Sequence, residues 1–89
     1  MTIELIKENE KGTTFQAEGF KILYRHKGKF AGDNDINKYE ILYLISGSAK
    51  VTILDEIKTI EAPSKFIIPE KTYHKIDALT DIALILFEK

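Results

Sequence analysis

The sequence predicts an all-β domain, on three observations. Short apolar segments alternate with turn residues at intervals of about 8–12, the spacing of a sandwich or barrel. Isoleucine dominates the apolar content, with 14 Ile against a single Val, and β-branched side chains suit a pleated surface. No window sustains a period of about 3.6 residues with caps, so no helix is expected.

The elements follow in order. Ile3-Glu4-Leu5-Ile6 reads as a first strand ended by Lys7 to Gly12, although Leu5 to Glu10 is also compatible with a helical turn. Thr13 to Ala17 is a second strand, broken by Glu18-Gly19, and Phe20 to His26 a third, closed by Lys27-Gly28. Lys29 to Lys38 holds Gly32, Asp33, Asn34, Asp35 and Asn37 and reads as loop. Tyr39 to Ser46 is the strongest strand, and Gly47-Ser48 is a two-residue hairpin signal leading back through Ala49 to Leu54. Asp55-Glu56 turns into Ile57 to Glu61. Pro63-Ser64 precedes Lys65 to Ile68, and Pro69 to Thr72 precedes Tyr73 to Asp77. Ile82 to Phe87 closes the chain.

Composition narrows the function classes. Eighty-nine residues make one domain, 1–89, whose core is thin because a chain this short buries roughly 60–65% of its unfolded surface. With no Cys there is no disulfide, thiolate nucleophile, iron–sulfur cluster or Cys-based zinc site. Thirteen basic against fourteen acidic residues, without runs of either sign, argue against nucleic acid as a partner. No apolar run approaches the ~20 residues of a membrane span, and Met1-Thr2-Ile3-Glu4 does not open a signal peptide. The expectation is a cytoplasmic domain with no membrane contact, left with carboxylates and two His for polar chemistry.

Alternation fixes the faces of the central strand: Tyr39, Ile41, Tyr43 and Ile45 on one side, Glu40, Leu42, Leu44 and Ser46 on the other. The last strand opposes Ile82, Leu84 and Leu86 to Ala83, Ile85 and Phe87. Strands apolar on both faces need cover on both. The opposite sheet supplies one layer, and the N-terminal strands or a second subunit the other. A homodimer is the favoured expectation.

The spacing of a few residues carries a resemblance. Gly28, five residues, Asn34-Asp35-Ile36, three residues, Glu40, six residues and Gly47 form one frame. Pro63, five residues, Pro69-Glu70-Lys71, two residues, His74, three residues and Ala78 form another. These resemble the two motifs of the small single-domain cupins, with Glu40 to Gly47 similar to the family's apolar strand and hairpin and Phe66 to Pro69 to its strand into proline. The resemblance covers about residues 24–87. It implies a double-stranded β-helix, or jelly-roll barrel. In metal-bearing cupins two His of the first motif, the Glu and the second-motif His bind one divalent ion. Here only Glu40 and His74 stand in register, with Asn34 and Ile36 at the first-motif His positions, so the metal site is degenerate. Shifting the frame by one places Asp33 and Asp35 there instead, an oxygen-rich set suited to a hard ion such as Mn²⁺ or Mg²⁺.

Candidate residues follow. Glu40 shares a face with Leu42 and Leu44 and is expected at the barrel mouth as a ligand or general base, or in an ion pair with Lys71, Lys38 or Arg25. His74 lines the same mouth or is a satisfied rim residue. His26 stands in for a missing ligand if Tyr24 faces inward, and is otherwise a surface residue. Tyr73 and Tyr43 either stack on a ligand or pack. Asp33-Asn34-Asp35 lacks the Gly and Glu of a calcium loop and reads as a solvated turn.

Two functions are compatible. The favoured one is non-catalytic binding of a small molecule, a sugar or organic acid, at the barrel mouth by Glu40, His74, Tyr73, Asn34 and His26, with no resident cofactor. The alternative is a cupin-type isomerase, epimerase or oxygenase, acting through Glu40 and His74 as an acid–base pair or, with Asp35, holding one Mn, Fe, Ni or Zn ion.

Overall fold

The fold was derived from a computed structural model that describes residues 2–89. Among the described residues ten strands follow one another without a helix: β1 (Glu4–Asn9), β2 (Gly12–Ala17), β3 (Phe20–Arg25), β4 (Phe30–Asn34), β5 (Glu40–Ser46), β6 (Ser48–Ile53), β7 (Glu56–Glu61), β8 (Ser64–Ile68), β9 (His74–Ala78) and β10 (Ile82–Glu88). They form a six-stranded sheet, ordered β1-β2-β3-β10-β5-β8, and a four-stranded sheet, ordered β4-β9-β6-β7. Every pairing is antiparallel. From β3 onward the chain changes sheet at every connection except the β6–β7 hairpin. The result is the expected jelly roll, β3-β10-β5-β8 facing β4-β9-β6-β7, with the β1–β2 hairpin extending one sheet. Among the described residues no helix is long and apolar enough to cross a membrane.

The core obeys the alternation read from the sequence. Leu42 and Leu44 on β5, Leu84 on β10 and Ile68 on β8 meet Ala49 and Val51 on β6 and Ile76 on β9. Leu42, Leu44, Ile68, Ile76 and Leu84 are fully buried, each worth about 1.5–3 kcal/mol of transfer free energy. The opposite face of the six-stranded sheet stays open: Tyr43, Ile45, Ile67 and Phe87 are exposed. The N-terminal strands lie beside β3 in the plane of that sheet, so they do not cover this face, contrary to one of the two covers expected.

Four further expectations are corrected. Leu5 to Glu10 is no helical turn, because β1 pairs with β2 through Asn9 and Gly12. The Lys29–Lys38 segment contains β4, paired with β9 from Phe30↔Asp77 to Asn34↔His74. Its turn-forming residues build a bulge inside the strand: the register shifts between Gly32 and Asn34, and Asp33 takes a φ of 70°. Gly47-Ser48 does not close a hairpin, since β5 and β6 belong to different sheets. Gly47 is instead the corner between them. Finally, the hairpin turn after β6 is Leu54-Asp55, with Glu56 already paired to Ile53.

Gly47 has a φ of 88°, and a Cβ there would come within 2.2 Å of the Asp81 carbonyl oxygen. Both facts demand glycine. Gly47→Ala is expected to lower unfolding free energy by at least about 1–3 kcal/mol, measured as a reduced urea midpoint at unchanged m-value.

Candidate functional site

The site is the continuation of the core beyond its last apolar layer. On β5 the inward face runs Leu44, Leu42, Glu40, and on β9 it runs Ile76, His74, so a carboxylate and an imidazole meet where the aliphatic stack ends. Glu40 Oε1 lies 3.8 Å from His74 Nε2, with both side chains almost wholly buried. His74 Nδ1 lies 3.0 Å from the Thr72 carbonyl oxygen, which only accepts, so Nδ1 carries the proton and the other nitrogen faces Glu40. Burial holds the Glu40 carboxyl above the usual carboxylate range. His74 acts against that rise, Glu88 adds to it and Lys21 again opposes it. Glu88 is the cross-strand partner of Glu40 and pairs with Lys21 at 3.4 Å.

These groups open into a cleft of about 360 Å³ between β1-β2-β3 and β4. Leu23, Ala31, Leu42, Ile76 and Leu86 form its apolar wall, while Glu40, His74, Asn34, Asn37, Lys7, Lys21 and Arg25 supply its polar groups. Gly32 lies under the imidazole: at a φ of 88°, an added Cβ would sit 2.8 Å from His74 Cδ2. The bare glycine therefore leaves room for the ring. The β4 bulge has a second effect, bringing Asn34 opposite His74.

The expected site residues divide. Glu40, His74 and Asn34 line the cleft. Asn34 is partly committed, its Oδ1 accepting from the Ile36 N–H at 3.2 Å. Tyr73 is not in the cleft wall. Its hydroxyl donates to Asp33 Oδ1 at 2.6 Å on the outside of the β4 bulge, a bond that raises the phenol above its ordinary pKa. His26 is exposed beyond the end of β3, on the outward parity shared with Tyr24, so it cannot stand in for a ligand. Asp35 is exposed past the end of β4 and does not line the cleft with Glu40 and His74. The partner of Glu40 is His74, not Lys71, Lys38 or Arg25.

Among the described residues, no group of three or more His, Cys, Asp or Glu side chains converges. Glu40 and His74 offer two donors of a kind a divalent ion accepts, one fewer than the three protein ligands of a catalytic site. This donor set does not fit a resident transition-metal ion.

Two further residues contribute. Asn37 is buried and clamps the mouth, its Nδ2 donating to the Lys38 and Pro69 carbonyls, both at 2.8 Å, and its Oδ1 accepting from the Thr72 N–H at 3.1 Å. It thereby fixes the loop whose Thr72 carbonyl sets the His74 tautomer. Arg25 enters the cleft because β3 turns Lys21, Leu23 and Arg25 inward. Period-2 alternation would have placed it there once the facing of Tyr24 was known.

No protein-family model matches the sequence, and no curated protein does. Solved structures do match in shape. CapF with the inhibitor 3-isopropenyl-tropolone superposes with a TM-score of 0.80 at 17% identity, over 97% of this chain and 30% of that one. The capsular polysaccharide assembling protein CapF from Staphylococcus aureus gives 0.79 at 16% identity, over 98% and 28%. Salicylate 1,2-dioxygenase from Pseudoaminobacter salicylatoxidans, as its gentisate adduct, gives 0.72 at 16% identity, over 78% and 19%. The chain thus spans less than a third of the length of these neighbours. The fold is the cupin jelly-roll barrel.

The environment of Glu40 has a measurable consequence. Its carboxyl carbon should titrate above the usual carboxylate range by NMR, and further upward in His74→Gln, which removes the imidazole that opposes the rise. A carboxyl raised in the folded state contributes stability that is present at low pH and lost as pH climbs through its folded pKa. Glu40→Gln should accordingly gain on the parent chain in urea midpoint as pH rises through that range.

Proposed function

We propose that this barrel binds a small oxygen-rich molecule, a sugar or organic acid, in its mouth without transforming it. The observation that carries the reading is the combination of an open cleft of about 360 Å³ with a two-donor polar end and an apolar wall. That volume falls within the ~300–1,000 Å³ of small-molecule sites, and an apolar wall with few fixed polar groups is their usual make-up. Asn34, Glu40 and His74 offer donors and acceptors suited to hydroxyl and carbonyl oxygens.

One observation favours a second reading. A carboxyl raised by burial beside an anchored imidazole is an acid–base pair, the equipment of an isomerase or epimerase that moves a proton next to a carbonyl. Deuterium exchange separates the two. Sugars and sugar acids shown by amide-shift titration to enter the mouth are held with the protein in D2O, and their C–H signals followed by proton NMR. Binding without loss of C–H signal is expected. Washout that disappears in Glu40→Gln and His74→Gln would establish the enzyme instead.

The proposal includes a homodimer through the outer face of the six-stranded sheet. Phe20, Phe87 and Tyr43 form a continuous aromatic row there, at centroid separations of 5.5 and 5.9 Å, flanked by exposed Ile45 and Ile67. A contiguous apolar patch of this kind marks an interaction surface. Light scattering coupled to size exclusion should give twice the 10.2 kDa of one chain, and Tyr43→Lys should return it to the monomer mass.

A further inference from the structure

The cations of the cleft are not equivalent. Lys21 is neutralised by Glu88 at 3.4 Å. Among the described residues, Lys7 and Arg25 have no carboxylate within ion-pairing distance. Arg25 is half-buried, and burial pulls its guanidinium below the ordinary value. Its Nε donates to the Phe30 carbonyl at 3.2 Å and its Nη1 to the Tyr24 carbonyl at 2.9 Å, with longer contacts to Thr13 O and Thr14 Oγ1 at 3.4 Å. Every acceptor is neutral. These bonds fix the plane of the guanidinium but leave its charge uncompensated, and among the described residues Nη2 has no acceptor.

Lys7 reaches the cleft by a defect in β1. The β1–β2 register steps from Leu5↔Phe15 to Lys7↔Thr14, so Ile6 is an extra residue. Regular alternation would send Ile6 and Lys7 to opposite faces. The bulge lets both line the cleft, turning the edge strand into a wall with a cation on it.

We propose that Arg25 and Lys7 form an anion subsite, and that the ligand of this cleft is a sugar-sized polyol carrying a terminal carboxylate or phosphoryl group. The inference rests on the binding reading above and sharpens it. The two polar ends of the cleft are separated along β3. Lys21 lies at the Glu40 end, linked to it through Glu88, and Arg25 lies four residues farther along β3, which is about 13 Å of strand. An acid the size of acetate cannot serve both ends, whereas an elongated polyol can. Its charged terminus takes the Arg25 end, its carbon skeleton crosses Leu23 and Ile76, and its hydroxyls meet Glu40 and His74. A guanidinium presenting unused N–H groups suits planar carboxylate and tetrahedral phosphoryl oxygens alike.

The test uses three probes of similar size: glucose 6-phosphate, glucuronate and glucose, titrated into the full chain and followed by backbone amide shifts. One or both anionic probes should perturb Thr14, Arg25 and Ala31, the stronger of the two naming the terminal group, and should weaken with added salt. Glucose should bind at least about tenfold more weakly and without salt dependence. Arg25→Gln should cost the anionic probes about tenfold or more and leave glucose unaffected. Lys7→Gln, on the exposed edge strand, gives the same selective loss where Arg25→Gln disturbs folding. Equal binding of glucose and the anionic probes, or unchanged anion affinity in Lys7→Gln and in a folded Arg25→Gln, would overturn the anion subsite and leave the binding reading intact. Absence of any mouth perturbation by all three would overturn both.

Discussion

The structure depends on one contact, the aliphatic stack in which Leu42, Leu44, Ile68 and Leu84 of one sheet meet Ala49, Val51 and Ile76 of the other. Among the described residues there are ten short strands and no helix, so this stack, with Ala31, Ala78, Ile82 and Leu86 around it, is what joins the two sheets face to face. Strand periodicity then makes the cleft a consequence of that stack. The face that supplies Leu44 and Leu42 must supply Glu40 next, and the face that supplies Ile76 must supply His74. A polar pair therefore appears at the rim without any separate element to carry it. The residues that fold the protein and the residues that equip its mouth lie on the same rows, two positions apart.

That continuity has an energetic cost, and the neighbourhood is arranged to limit it. A lone carboxylate at the position of Glu40 would be strongly disfavoured. His74 stands 3.8 Å away and Lys21 also favours the charge, while Glu88, the cross-strand partner of Glu40, works against it and is itself paired with Lys21. His74 is held in turn by the Thr72 carbonyl, in a loop that Asn37 pins through three hydrogen bonds. The orientation of the imidazole thus rests on an amide on the opposite side of the mouth. Gly32 completes the arrangement by omission, because any side chain there would collide with the ring.

Much of this was legible in the residues, and the failures have physical causes. The inward row Glu40-Leu42-Leu44 and the pocket position of His74 follow from alternation and motif spacing. So does the strand count, except at β4. There Gly32, Asp33 and Asn34 look like a turn because they have turn chemistry, and in the fold they spend it on a bulge within a paired strand. Gly47 was right in conformation and wrong in context: a positive φ is needed at a hairpin and equally at a corner between sheets, and local sequence does not distinguish them. His26 followed parity but needed the facing of Tyr24, which local sequence does not give, and Asp35 lies just past the end of β4, beyond the reach of strand alternation. Asn37 escaped because its partners are backbone carbonyls and an amide, which every residue possesses and no motif encodes, whereas Arg25 follows from alternation once Tyr24 faces outward.

The two bulges give the cleft its polarity. Without the β1 bulge, only one of Ile6 and Lys7 would face inward, and without the β4 bulge Asn34 would not stand opposite His74. Each bulge lies on an edge strand, β1 at the margin of one sheet and β4 at the margin of the other, and these two margins bound the open side of the sandwich. Edge strands must be kept from pairing with foreign strands, and a bulge does this by breaking the flat run of N–H and C=O groups. The irregularity that protects each edge also rotates a polar side chain into the opening between them. Protection against aggregation and the equipping of the cleft are, in this barrel, two results of the same inserted residues.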